Sequence, residues 1–323
     1  MNYKTRTRIL QSNPVLLGRH FQYRVEVFFK DIILDGQLGK VINYAIRVEF
    51  QFRGSPHIHS LLWVFDAPIL SNANIEDYID FVESVIKCEL PRDKSDPLYE
   101  HVKTYQKHSH SKSCRKYKNV PCRYNFGKLF CDISQPLNDD LAEDEKVELL
   151  KFRKSVLDKV KSYIDRFLDP KHNNLCDPEK ENYTPPKTIL EILEELEIDP
   201  NDYVKCLKMS PDNSFHIHFK RSPDSCFINN YFRDGLLAWE ANIDIQPVLD
   251  YQSCIAYMCA YVSKSEDESS QAMKQAAKEA YESGKPVSER MKSVAKAYRT
   301  HRYAMLSFYK TTHMTVKKII EYI

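Results

Sequence analysis

Two histidines one residue apart, His57 and His59, follow the run Arg53-Gly54-Ser55-Pro56. Upstream, residues 42–53 alternate. Ile42, Tyr44, Ile46, Val48, Phe50 and Phe52 are apolar, with Asn43, Arg47, Glu49, Gln51 and Arg53 between them. That pattern predicts a strand with one buried and one polar face, a turn at Arg53–Pro56, and a second strand reaching Phe65. Period two puts both imidazoles on one face, as paired metal ligands must be. A register pairing Gln51 with His57 sets Glu49 opposite His59, so two imidazoles, a carboxylate and an amide share one patch. A register one residue off turns Glu49 away. On ligand softness such a set suits Zn, Fe or Mn.

A His-x-His pair is a cheap signal. With 11 His in 323 residues, about 0.4 such pairs arise by chance. Three occur: His57/His59, His108/His110 and His216/His218. The ordinary reading of an isolated pair is half-buried strand histidines, and the first pair rises above it because a carboxylate-bearing strand precedes it. The His216/His218 pair runs into Lys220-Arg221 with no such strand and reads as structural or, at most, DNA-contacting. The middle pair opens His108-x-His110-x3-Cys114-x7-Cys122. Two imidazoles and two thiolates suit tetrahedral zinc, which folds an otherwise irregular loop. The spacing is not that of a common finger, and Cys131 and His101 are alternative ligands.

A third group lies in residues 251–264, YQSCIAYMCAYVSK. On a helix Tyr257 and Tyr261 project from one side and Lys264 follows on it. An aromatic packing pair is the plain reading. The chemical reading is nucleophilic catalysis: a tyrosine hydroxyl attacks a phosphodiester and keeps the 5′ phosphate as an ester. A divalent ion polarises the phosphate oxygens and a lysine offsets the developing charge. A second tyrosine allows a second cleavage or strand transfer.

The elements that must position these groups are read in order. Asn13-Pro14 opens a helix carrying Leu16, Phe21, Val25, Phe28 and Ile32 until Asp35-Gly36. After the hairpin, Asn74 caps a helix ended by Pro91. Residues 92–132 read as an irregular basic insertion. A long helix spans 143–168, and Pro185-Pro186 marks a loop. Thr188 with Glu191 forms a capping box for a helix over 189–198. A strand covers Phe215–Phe219, a helix lies near Leu236–Ala241, and Ile243–Val248 is a further strand. Helices follow at 251–264, 269–283 and 287–308. No internal repeat is visible. The class is α+β, an antiparallel sheet with flanking helices and a helical C-terminal part. By motif the chain divides into 1–91, 92–132, 133–265 and 266–323.

The 42% hydrophobic content can bury a core. No apolar run approaches a membrane span and no signal-peptide pattern appears. Nine cysteines, an odd number with no Cys-x-x-Cys, point to reduced thiols and an intracellular setting. The seven glycines supply neither a phosphate-binding P-loop nor a dinucleotide fingerprint, so ATPase, helicase and dinucleotide chemistry find no motif here. The net charge of +2 is uninformative, but its distribution is not. Between His101 and Cys131 lie eight Lys/Arg and no acid, interleaved with Tyr105, Tyr117, Tyr124, Phe126 and Phe130. Among them Arg115, Lys116, Lys118, Arg123 and Lys128 are candidate DNA contacts. The plain alternative is a solvated basic loop.

Taken together, RVEFQFRGSPHIHSLLWVFDAP, HSHSKSC with PCRYNFGK, AWEANIDIQPVLD and CIAYMCAYVSK resemble the Rep endonuclease region of Helitron-type rolling-circle transposases. That region is also known as the Helitron helicase-like N-terminal domain. The likeness covers roughly residues 7–302 and is specific in combination. It implies an endonuclease fold of the His-hydrophobic-His class that cuts single-stranded DNA at transposon ends through a tyrosine. His57 and His59 are then metal ligands, Tyr257 and Tyr261 the nucleophile pair, and Mn²⁺ or Mg²⁺ the ion. Glu49 as third ligand, with Gln51 as its substitute, and Lys264 as phosphate contact come from geometry. The family usually has a strand upstream of the hairpin, which this chain is expected to lack, and a helicase, which a separate domain or protein would supply. After about His301 the likeness fades, as in a truncated copy. A nuclear location follows for a eukaryotic source. Two other readings stand beside it: a catalytically inactive DNA-binding remnant, and a zinc hydrolase using His57, His59 and Glu49 without a tyrosine.

Overall fold

In the computed structural model the alternating residues form strand β1 (Val41–Phe50), which pairs antiparallel with β2 (Pro56–Val64). The structure describes residues 12–34, 36, 38–50, 56–68, 74–111, 114–115, 122–136, 143–169, 187–209 and 217–249. Expectations for Gln51, Lys116, Lys118, His216, Tyr257, Tyr261 and Lys264, and for the helices after residue 250, lie outside the described residues.

The chain divides into two compact units, Met1–Asp66 with Asp250–Ile323, and Ala67–Leu249. In the first, α1 (Pro14–Phe28) runs into a π turn, Phe29–Ile33. Pro14 starts the helix where its missing N–H costs nothing. Phe21, Val25, Phe29 and Ile33 are buried, whereas Leu16 is exposed. The buried stripe thus passes through Phe29 and Ile33 instead of the expected Phe28 and Ile32, because the wider π turn delays the helix face. Phe29 meets Tyr44 on the apolar face of β1 with ring centroids 5.3 Å apart. Gly39 has φ +93°, and a Cβ there would lie 2.9 Å from Val64 Cγ1. A glycine therefore allows the hairpin's open end to close, with Phe65 N donating to Lys40 O at 2.7 Å.

The second unit is mainly helical: α2 (Ile75–Val85), α3 (Pro97–His101) with a π turn Val102–Gln106, α4 (Glu143–Tyr163) with a π turn Ile164–Leu168, α5 (Ile189–Glu195), α6 (Pro200–Lys208) and α7 (Arg233–Trp239). A second, two-residue pairing joins β3 (Gln135–Pro136) to β4 (Ile217–His218). The fold is α+β with antiparallel pairing. The described residues contain two two-stranded sheets and no larger one.

Several boundaries differ from the sequence expectation. Helix α2 stops at Val85, well before Pro91, because Ile86 turns extended and Lys87 bridges to Tyr231. The insertion at 92–132 is partly helical, since Asp96 caps α3 by accepting from Leu98 N at 2.9 Å, just before Pro97. The helix expected over 189–198 ends at Glu195. Its capping box forms, but Glu197 turns left-handed (φ 54°) and Asp199-Pro200 starts α6. Residues 243–248 form no strand. Ile243 is held instead by side chains: its carbonyl accepts from Asn229 at 3.0 Å, and with the Gln106 carboxamide oriented oxygen to N–H and nitrogen to C=O, that side chain meets both of its backbone groups.

Helix α4 with α5 and α6 builds the main core, where Val160, Ile164, Ile192, Leu207 and Phe130 are fully buried. Arg221 is a buried cation among the described residues of this unit. Its Nη1 donates to the carbonyls of Cys88, Ser225 and Ile228 at 3.0, 2.7 and 2.6 Å. One side chain thus satisfies three carbonyls that the irregular loops leave without ladder partners.

Candidate metal centres

The hairpin register pairs Glu49 with His57 and Arg47 with His59. This corrects the expected Gln51–His57 pairing by two residues. An even shift leaves every side chain on its face, which is why the patch survives the correction. Pro56 opens β2, where a residue without an N–H is tolerated. Glu49 Oε2 lies 2.9 Å from His57 Nε2 and 3.0 Å from His59 Nε2. The side chains of Glu49 and His59 are 13% and 15% exposed and that of His57 is 34% exposed, so the group opens to solvent beside His57.

Glu49, His57 and His59 therefore form a donor group able to hold a metal ion, with all three ligand atoms within 4.8 Å of one another. The same distances fit hydrogen bonds from protonated imidazoles to the carboxylate. Arg47 shares this face by register, a residue the sequence reading passed over although its place two before Glu49 marked it.

Residues 2–62 match the family model of the Helitron helicase-like domain at the N-terminus. The Helitron-like segment holds Glu49, His57 and His59 together with most of the hairpin. It ends before the second His/Cys group and before the tyrosine stretch. No curated protein and no solved structure matches the chain. No described helix is long and apolar enough to cross a membrane.

In the second unit His108, His110, Cys114 and Cys122 converge, their ligand atoms also within 4.8 Å of one another. His108 Nε2 is 3.3 Å from His110 Nδ1 and 3.5 Å from Cys122 Sγ, and His110 Nδ1 is 3.4 Å from Cys114 Sγ. The alternatives weighed from sequence sit elsewhere. His101 Nδ1 pairs with Pro97 O at 2.8 Å, and Cys131 Sγ donates to Phe219 O at 3.1 Å. His108 stacks on Phe126 with centroids 4.1 Å apart and planes 6° apart. Burial, aided by His110, pushes its pKa down to about 4.

The basic residues of this insertion do not present one uniform face. Arg115 Nη2 pairs with the buried carboxylate of Asp169 at 3.1 Å. Arg123 lies over the exposed ring of Tyr124, 4.5 Å from its centroid. Lys128 is partly buried, and burial with Arg221 nearby pushes its pKa down. His218 lies in β4, paired with Gln135.

Proposed function

We propose that this chain is a metal-dependent single-strand DNA endonuclease and strand transferase of Helitron type. The observation that carries the reading is the Glu49 carboxylate oxygen within 3.0 Å of both His57 and His59, inside the segment that matches the Helitron domain. The family resemblance implies Mn²⁺ or Mg²⁺ there, and two imidazoles favour Mn²⁺ of the two. When bound, such an ion polarises the non-bridging oxygens of a scissile phosphate. His57 and His59 orient the site, Glu49 balances charge, and Arg47 supplies a further cation on the same face.

Tyr257 and Tyr261 act as the nucleophile pair. The phenolic oxygen bonds to phosphorus as the bond to the 3′ oxygen breaks, the phenol loses its proton, and the leaving 3′ oxygen gains one. Lys264 contacts the phosphate. The substrate is single-stranded DNA of transposon ends, met inside the cell and, for a eukaryotic source, in the nucleus. Unwinding falls to a helicase domain or a separate protein.

The test incubates the chain with single-stranded DNA and Mn²⁺ and resolves the products on a denaturing gel. A metal-dependent protein–DNA adduct, lost in His57→Ala and in Tyr257→Phe with Tyr261→Phe, is the expected result. Cleavage without an adduct would assign a metal hydrolase instead. Salt-sensitive binding with neither adduct nor cleavage would identify a catalytically inactive DNA-binding remnant.

A further inference from the structure

We infer that His108, His110, Cys114 and Cys122 hold one structural zinc ion, and that Asp169 orients His110 from outside the ligand shell. The inference concerns the second unit and does not depend on the hairpin chemistry.

Zinc bonds of ~2.05 Å to nitrogen and ~2.3 Å to sulfur at tetrahedral angles place ligand atoms about 3.3 Å (N···N) and about 3.6 Å (N···S) apart. The measured edges are 3.3 Å for His108 Nε2 to His110 Nδ1, and 3.4 and 3.5 Å for the two nitrogen–sulfur edges. Hydrogen bonding alone could explain one such edge. It does not call for four donor atoms, three from residues 108–114 and one from Cys122, all within 4.8 Å of one another. Cys114, Cys122 and His110 are buried at 1%, 4% and 8% exposure, and soft thiolates in a dry site select zinc over Mg²⁺ or Mn²⁺. Four protein ligands leave no open position, as in structural sites.

His110 uses Nδ1 toward the cluster, and its Nε2 faces Asp169 Oδ2 at 3.7 Å. A carboxylate on the far nitrogen of a ligating histidine fixes its tautomer and raises its basicity. Asp169 follows the π turn that ends α4 and also pairs with Arg115. The ion would thus fasten the insertion to the long helix. The turn after Cys122 is built for this, with Arg123 N donating to Cys114 O and Asn125 N to Cys122 O, both at 2.9 Å.

The experiment uses the full chain. Zinc is counted in the wild type and in a His57→Ala/His59→Ala background, and Co²⁺ is exchanged into the wild type. One zinc per chain that survives loss of the hairpin histidines is expected. So are cobalt–thiolate charge-transfer bands with tetrahedral d–d absorption. Cys114→Ser with Cys122→Ser should lose that zinc. Asp169→Asn should keep one zinc at an affinity about 10–100-fold weaker. A wild-type chain with no cobalt–thiolate band, or zinc that leaves with the hairpin histidines, would overturn the site. Unchanged affinity in Asp169→Asn would overturn the role of that carboxylate.

Discussion

A single oxygen atom, Glu49 Oε2, within 3.0 Å of two imidazole nitrogens concentrates the hairpin's chemistry on three side chains. In the proposed nuclease, Glu49→Ala should slow Mn²⁺-dependent single-turnover cleavage by at least about 100-fold, the scale set by losses of weaker outer-shell groups. A ligand role further requires partial recovery at high Mn²⁺, so a metal titration of the variant is the deciding measurement. Flat, metal-independent loss would mean that Glu49 serves the fold instead. Cys131 shows the opposite kind of residue. Its thiol donates to Phe219 O at 3.1 Å, and burial pushes its pKa up to about 12. The thiolate is the reactive form. At pH 8 the folded chain should alkylate there about a thousandfold more slowly than a free cysteine of pKa ~8.5. Peptide mapping after iodoacetamide treatment reads this directly. Rapid labelling of Cys131 in the folded chain would contradict its buried, hydrogen-bonded state.

At the scale of elements, position comes from register and caps. The two strands share a face pattern with period two, so the hairpin could slide by two residues and still gather Glu49, His57 and His59. A slide by one would have scattered them. Asp96 does two jobs between elements: it caps α3 and pairs with Arg233 of α7 at 2.7 Å. The hydrogen bond from Arg233, then that from Leu98 N, lowers its pKa below the ordinary aspartate value. The folded state therefore binds the proton less readily than the unfolded one. Its stabilisation is present above the unfolded pKa and is lost as pH falls through the lowered folded value. Acid unfolding of Asp96→Asn should accordingly show a shallower loss of stability below about pH 4 than the wild type. Identical acid limbs in the two proteins would refute the linkage.

At the scale of the molecule, charge is arranged by region: +2 overall, but eight cations and no acid between His101 and Cys131. Neutralising a phosphate of single-stranded DNA contributes about −0.7 to the slope of log K against log salt. Five contacts from Arg115, Lys116, Lys118, Arg123 and Lys128 would give about −3.5. Arg115 is already paired with Asp169 and Lys128 is partly buried, so a slope between about −2 and −3.5 is expected. Arg123→Ala should flatten it by about 0.7. A slope near zero, measured by fluorescence anisotropy on oligonucleotides, would remove the insertion from the DNA interface.

The sequence by itself determined what local rules control. Alternation over 42–50 defined the hairpin and its polar face, Thr188 and Glu191 defined a capping box, and the charge pattern defined a long helix over 143–168. It also named the four residues His108, His110, Cys114 and Cys122, since metal-ligating types at close spacing are legible without a fold. Only the tertiary structure decided which of the candidate ligands meet. Cys131 and His101, the substitutes offered by residue type, are instead held by backbone carbonyls. Asp169 could not be foreseen, because it approaches His110 across a sequence gap that carries no periodic signal. The strand expected over 243–248 failed for the same reason in reverse. Its apolar residues were real, and Ile245 and Leu249 pack against Tyr78 and Val82. At its first residue, Ile243, the carbonyl accepts instead from the Asn229 side chain. Burial can be read from residue type, whereas a hydrogen-bond partner distant in sequence is fixed only when the chain has folded.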